Sequence, residues 1–81
     1  MLKIGQRINI ELNSYELTSH WDTPFGPIYL YTFRDFFNNT FIWKTPQLIE
    51  ENIYSITGRI KGIERFNNQN EFVLTYCKVN S

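Results

Sequence analysis

The sequence is poor in the residues that build disulfides, metal sites and membrane spans. It holds one cysteine, Cys77, and one histidine, His20, so neither an intramolecular disulfide nor a His/Cys metal site can form within one chain. No apolar run approaches the ~18 residues that a membrane-spanning helix needs, and no signal-peptide core is present near the N-terminus. We therefore expect a cytoplasmic protein with no cofactor, no metal, no membrane partner and no small-molecule substrate.

Glycine, proline and net charge are scarce as well. Four glycines and three prolines indicate neither disorder nor a fibrous repeat, and 81 residues suffice for one domain over residues 1–81. Eight basic residues balance eight acidic ones, which argues against a strongly basic nucleic-acid-binding protein. The balance is uneven along the chain. Residues 52–81 carry four basic residues and two acidic ones, so a locally basic face is still compatible with the composition.

Aromatic residues, by contrast, are abundant and clustered. Of the fourteen in the chain, eight lie between Phe25 and Trp43. There, two runs of β-branched and aromatic residues flank a turn-forming cluster of Asp35, Asn38 and Asn39, which is typical of an antiparallel hairpin. A core of this size does not need so many rings in one hairpin, so we expect some of them to face a partner.

The register of this hairpin decides which rings share a face. A type I turn with a bulge, with Asn38 in the left-handed region, sets Phe33 opposite Phe41 and Tyr31 opposite Trp43. A two-residue turn would move Phe41 and Trp43 to the other face. We favour the bulged turn. Whether the aromatic face is the core or an exposed stacking platform stays open, and Tyr31 suits either role.

Alternating polarity predicts the other strands. A long first strand over residues 5–19 should bend after Asn13, and residues 53–66 and 71–79 should form the fourth and fifth strands. In the fourth strand Gly58 and Gly62 indicate bending or close backbone approach. Residues 20–26 are expected to be a loop, either a flap that closes over a ligand or a segment pinned by Trp21.

Residues 45–52 should form a short helix between the third and fourth strands. Thr45 suits the N-cap, Pro46 the first turn and Asn52 the end. The order of elements then predicts a mainly β protein, a five-stranded OB-fold barrel with one short helix between strands 3 and 4. An SH3-like barrel is the alternative, but it usually lacks a helix at that place.

Two segments carry a resemblance. Gly-Arg-Ile-Lys at 58–61, then Phe66 and Leu-Thr-Tyr-Cys-Lys-Val at 74–79, resemble the ending of small OB-fold single-stranded-DNA-binding modules of phages and mobile genetic elements. The hairpin Phe33-Arg-Asp through Trp43-Lys-Thr is also similar to theirs. The resemblance covers about residues 27–79 and implies a role beside replication or recombination proteins, in holding single-stranded DNA. Asn38 departs from a usual glycine, and Tyr76 from a basic residue.

These considerations give two candidate surfaces. The predicted nucleic-acid-binding residues are Tyr31, Arg34, Lys44, Arg59, Lys61, Arg65, Phe72, Tyr76 and Lys78, because unpaired strands need cations for phosphates and rings for bases. The predicted protein-partner residues are Trp21, Phe25, Phe36 and Phe37, because exposed rings concentrate at interfaces.

The leading hypothesis is a non-catalytic DNA replication accessory protein that binds single-stranded DNA. The alternative is an adaptor that docks onto a polymerase, primase or helicase through its exposed aromatics. An enzyme is disfavoured because Cys77 is expected to point inward and no phosphate-cradling glycine loop occurs.

Overall fold

The computed structural model describes residues 2–49 and 52–80, which form one sheet of five strands. The strands are β1 (Arg7–Thr23), β2 (Gly26–Asp35), β3 (Thr40–Thr45), β4 (Ser55–Phe66) and β5 (Gln69–Asn80). They pair in the order β1-β2-β3-β5-β4, and β4 pairs back onto β1, so the sheet closes into a ring. All neighbours are antiparallel except β3 and β5, which are parallel. The predicted mainly β class is confirmed.

The β2–β3 hairpin has the register that the bulged turn predicts. Phe33 pairs with Phe41 and Tyr31 with Trp43, so the two-residue turn is wrong. The aromatic face of the hairpin lies against the core: Phe33 is fully buried and Phe41 is 1% exposed. Two isoleucines of β4, Ile56 and Ile60, complete the fully buried set. The ring is therefore filled mainly by the large apolar side chains of β2, β3 and β4.

The turn of this hairpin is held by Asp35. Its Oδ1 accepts hydrogen bonds from the backbone N–H groups of Phe37 and Asn39, at 2.9 and 2.8 Å, and its Oδ2 accepts one from Asn39 Nδ2 at 2.8 Å. Asn38 has φ of 65°, the left-handed conformation that asparagine tolerates and that the sequence predicted. The carboxylate thus replaces the backbone partners that a regular ladder would supply.

The predicted helix over residues 45–52 is absent from the described part of the chain; residues 50 and 51 lie outside the described residues. Thr45 instead ends β3, and its hydroxyl accepts a hydrogen bond from the N–H of Gln47 at 3.2 Å. The N–H of Ile49 donates to the Tyr31 hydroxyl at 2.8 Å. Side-chain hydroxyls of the sheet therefore satisfy two of the backbone N–H groups in this segment.

The predicted loop over residues 20–26 is also wrong, because β1 continues through Thr23. His20 pairs with Tyr29 and Trp21 with Ile28, so the turn is confined to residues 24 and 25. Thr23 Oγ1 accepts from the N–H of Phe25 at 3.1 Å and donates to the carbonyl of residue 26 at 2.7 Å. Pairing along the ribbon outweighs the local preference of its turn-forming residues. Neither the flap nor the pinned loop is present.

A bulge interrupts the β4–β5 ladder. Thr57 pairs with Lys78 and Arg59 with Thr75, so Tyr76 and Cys77 together face Gly58. Tyr76 adopts φ of 53°, which is unusual for a bulky residue. A Cβ on Gly58 would lie 2.7 Å from Cys77 Sγ, so the close approach expected at this glycine is confirmed. Gly62 has no such neighbour and lies at a second register shift.

Candidate nucleic-acid interface

Cations line the outer face of the ring across β1, β4 and β5 and reach Lys44 on β3. Arg7 on β1 pairs directly with Arg59 on β4, and Lys78 on β5 pairs with Thr57, two residues before Arg59. Lys61 follows Arg59 by two residues, and two residues along a strand span about 6.6 Å. The basic face is defined here as Arg7, Lys44, Arg59, Lys61 and Lys78, which are all exposed.

Among residues 2–49 and 52–80, no cation of the basic face forms an ion pair, although Glu64 lines the same hollow as Lys44 and Lys61. Among residues 2–49 and 52–80 the ion pair found joins Arg34 Nη1 to Glu16 Oε1 at 3.8 Å, away from this face and with both side chains more than half exposed. Like charges directly opposite each other across two strands destabilise a sheet, and Arg7 and Arg59 are such a pair. An anion bound between the two guanidinium groups would relieve this repulsion.

A trough adjoins the basic face on the outside of the ring. It has a volume of about 350 Å³ and is lined from all five strands by Thr18, Leu30, Thr32, Ile42, Lys44, Glu64, Glu71 and Val73. A second hollow, also of about 350 Å³, shares Lys44 and Val73 with the trough and includes Lys61. The trough and the basic face therefore meet at Lys44.

The lining of the trough is apolar at its floor and charged at its walls. Leu30, Ile42 and Val73 form the apolar part. The hydroxyls of Thr18 and Thr32 are hydrogen-bonded to each other at 2.5 Å, and Thr32 is 9% exposed. On the wall formed by β4 and β5, Glu64 and Glu71 pair directly across the ladder. The trough can therefore contact both a flat apolar ring and hydrogen-bond donors.

Two of the predicted nucleic-acid-binding rings are not at the surface. Tyr31 is 3% exposed and stacks on Phe33, with ring centroids 6.1 Å apart. Phe72 is 8% exposed and packs against Phe41 at 5.4 Å. Their predicted placement at the surface is wrong, because both side chains lie inside the closed sheet and neither presents a face to a base. The remaining predicted ring, Tyr76, is 77% exposed.

The structure brings together only some of the predicted cations. Lys44, Arg59, Lys61 and Lys78 share the basic face, whereas Arg34 lies on β2 beside Glu16 and Arg65 lies opposite Asn70 near the β4–β5 turn. Sequence reasoning missed Arg7 as a member of this face. Its outward phase on β1 was visible, but only the closing pair of strands, β1 with β4, places it beside Arg59.

The predicted partner aromatics are exposed but form two separate surfaces. Phe25, fully exposed, and Trp21, 40% exposed, lie at the β1–β2 turn. Phe36 and Phe37, 63% and 84% exposed, lie at the β2–β3 turn, at the opposite end of β2. The second pair borders a groove of about 540 Å³ whose lining includes Leu2 and residues of β1.

Trp21 lies on β1 opposite residues of the outer face of β2. It pairs with Ile28, and Ile28 is two residues from Leu30 on the same side of β2. Leu30 lines the trough. Trp21 therefore lies on the same side of the β1–β2 ribbon as Leu30, a placement that the expected loop at residues 20–26 did not predict.

The groups that could carry nucleophilic or metal chemistry are poorly suited to it. Burial raises the pKa of the Cys77 thiol to about 12, and Arg7 lowers it only in part, so the thiolate needed for attack does not form near neutral pH. His20 packs against Tyr29, with ring centroids 6.3 Å apart. Within the described residues, no group of three or more His, Cys, Asp or Glu could hold a metal ion.

Comparison with known proteins leaves function to be argued from this geometry. No protein-family model matches the chain, and neither a curated protein nor a solved structure matches it. None of the described residues belongs to a helix long and apolar enough to cross a membrane.

Proposed function

We propose that this chain is a non-catalytic, single-stranded-DNA-binding protein with an OB-fold, which acts as an accessory protein in the replication of a phage or mobile element. The observation that carries the proposal is the basic face. Its cations lie on adjacent strands and form no ion pair among the described residues, and the exposed ring of Tyr76 lies between Thr75 and Lys78 on β5. Cations for phosphates beside a ring for a base are the components that unpaired strands require.

The strand order supports the OB-fold part of the proposal. In that fold, five strands form a Greek-key barrel that binds oligonucleotides over strands 2 and 3 and the loops beside them. Here the chain closes with β5 between β3 and β4, and the trough lies over β2, β3 and β5. A bound single strand of DNA is therefore expected to cross from the basic face into the trough at Lys44.

Binding should depend strongly on salt, because phosphate contacts release counterions. For single strands the logarithm of affinity falls with the logarithm of salt concentration by about 0.7 per phosphate neutralised. If all of the basic face is engaged, the slope is about −3.5. Fluorescence anisotropy of labelled oligo-dT over a series of salt concentrations measures it.

A pair of matched variants locates the site. Arg59→Gln/Lys61→Gln should weaken binding and reduce the slope by about 1.4, the share of two phosphates. Arg34→Gln/Arg65→Gln removes the same net charge but lies outside the basic face, so it should leave the slope nearly unchanged. Equal effects of the two variants would contradict the site, and no binding by the wild type at low salt would contradict the function.

A second candidate function, a protein adaptor, is favoured by one observation. Asp35 holds the turn that carries Phe36 and Phe37 beside an apolar groove, so the backbone beneath two large rings has little conformational freedom to lose on docking. The proposed partner is a polymerase, primase or helicase. Phe36→Ser/Phe37→Ser should abolish co-elution with that enzyme and leave oligo-dT binding intact. Co-elution that survives the double substitution would remove this candidate.

A further inference from the structure

The trough contains a feature that phosphate binding does not explain. Glu64 and Glu71 pair directly across β4 and β5 on its wall, and both line the same cavity as Lys44. Two carboxylates oppose each other electrostatically, and both repel a polyanion. Phosphates are thus expected to follow the basic face outside the trough, while the trough takes an uncharged part of the nucleotide chain.

The size and lining of the trough suit a single base. Its volume of about 350 Å³ is near the lower end for small-ligand sites, which run from about 300 to 1,000 Å³. Leu30, Ile42 and Val73 offer an apolar floor on which a flat ring can lie. The carboxylates at the wall are hydrogen-bond acceptors, and neither receives a hydrogen bond or an ion pair from the described residues. A base that points N–H donors at them is therefore bound better than a base that points a carbonyl.

The pyrimidines differ at this edge. Cytosine carries an exocyclic amine at position 4, from which Glu or Asp accepts a hydrogen bond, whereas thymine and uracil carry a carbonyl oxygen there. We propose that the trough binds one base of the single strand, and that Glu64 and Glu71 make it prefer cytosine to thymine or uracil. This inference rests on the proposed function and adds base preference to it. The chain would then be selective at one nucleotide and indifferent along the rest.

The test compares oligo-dC with oligo-dU of about 12 nucleotides, a length within the range that one OB-fold covers. In the proposed orientation these polymers differ at position 4, where an amine or a carbonyl faces the carboxylates, and neither carries the thymine methyl group. Anisotropy titrations at low salt and mildly alkaline pH keep cytosine unprotonated. We expect the wild type to bind oligo-dC about fivefold more tightly, the lower end for one side chain–base pair, because Glu64 is exposed.

Variants separate base preference from charge. Glu64→Ala/Glu71→Ala should raise affinity for both polymers, because two negative charges are lost, and should bring their ratio to about one. Glu11→Ala/Asp22→Ala changes the net charge equally. Because both of its sites are exposed and outside the trough lining, it should raise affinity and keep the fivefold ratio. The ratio, and not the affinity, is the diagnostic quantity.

The outcomes distinguish this inference from the function on which it rests. Loss of the ratio in Glu64→Ala/Glu71→Ala and its retention in the control variant support the inference. Equal, measurable binding of the two polymers by the wild type overturns it and leaves the proposed function standing. A preference that survives the removal of both carboxylates also overturns it. Absence of binding to either polymer removes the proposed function and the inference together.

Discussion

Tyr76 offers a stability test in which the usual ranking of two substitutions should reverse. It lies in the β4–β5 bulge with φ of 53°, and its side chain is 77% exposed. In an ordinary strand position glycine is less stable than alanine, because glycine loses more backbone freedom on folding. At a left-handed position the Cβ of alanine still clashes with the backbone, whereas glycine has no Cβ and avoids the clash. We therefore expect Tyr76→Gly to be more stable than Tyr76→Ala.

The magnitude follows from two opposing effects. The left-handed conformation destabilises the alanine variant by about 1–2 kcal/mol. The greater freedom of unfolded glycine destabilises the glycine variant by about 0.5–1 kcal/mol. The net advantage of glycine at position 76 is then about 0.5–1 kcal/mol. Comparison of the two small residues removes the contribution of the tyrosine ring, which neither variant retains.

Lys78 supplies the matched control on the same strand. It is exposed and lies in β5 without a positive φ, so Lys78→Ala should be more stable than Lys78→Gly by about 0.5–1 kcal/mol. Urea unfolding of the four variants gives the free energies, with unchanged m-values as the check on two-state behaviour. In a domain of this size 1 kcal/mol corresponds to a melting-temperature change of roughly 4–8 °C.

If the alanine variant is more stable than the glycine variant at position 76 by as much as at position 78, the backbone of Tyr76 is not strained. If the strain is confirmed, the exposed ring is retained at a cost to stability, as expected of a residue held for binding. Both Tyr76 variants should then lose oligo-dT affinity by the share of one stacked base, about 1–3 kcal/mol.

Three further predictions concern the bulge and the hairpin turn. Gly58→Ala should destabilise the fold by about 1–3 kcal/mol because its Cβ meets Cys77 Sγ, and Cys77→Ala in the same chain should recover part of the loss; additive effects in urea unfolding would contradict the contact. The folded thiol titrates near pH 12 and the unfolded one near 9, so its contribution to stability is complete below pH 9 and is lost as pH rises toward 12; the difference in unfolding free energy between wild type and Cys77→Ala should fall over that range. Asp35→Ala should cost about 1–3 kcal/mol by urea unfolding, because the N–H groups of Phe37 and Asn39 lose a charged acceptor, whereas an unchanged midpoint would show that the turn does not need it.

Local sequence predicted the hairpin register because the signals there agree. Asn38 tolerates the left-handed conformation, Asp35 can accept from the turn N–H groups, and the alternation of rings favours one pairing. Each of these preferences is satisfied within a dozen residues. The register of such a segment can be derived before any tertiary contact is known.

The errors come from positions where distant contacts oppose local preference. Residues 45–49 have a good capping sequence, but Thr45 completes β3 and Ile49 bonds to the Tyr31 hydroxyl. Phe72 was assigned outward because strict alternation along β5 was assumed to place Cys77 inward. The bulge at Tyr76 shifts the phase, so that Phe72 and Cys77 both contact the core. Tyrosine carries no sequence signal for a left-handed bulge.

The sequence predicts which residue types face outward at the candidate site better than it predicts which strands bring them together. The outward phase of Arg59 and Lys61 follows from the alternation of β4. The pairing of Arg59 with Arg7 depends on ring closure, and the joining of Lys44 to the trough depends on the parallel pairing of β3 with β5. Pairings between strands distant in sequence leave little trace in local pattern.

The closing of the ring also has a kinetic consequence. The hairpins β1–β2, β2–β3 and β4–β5 pair neighbours in the chain, but the seam joins Arg7 to Arg59 and Glu11 to Ser55, across much of the 81-residue length. Hairpins form in about 1–10 μs, whereas proteins dominated by long-range pairing fold in milliseconds to seconds. The β1–β4 pairing should therefore form last, and the side chains of Arg7 and Arg59 would first approach each other in the rate-limiting step. If single-stranded DNA binds the basic face as proposed, this polyanion should screen that approach and speed refolding as well as stabilise the folded chain.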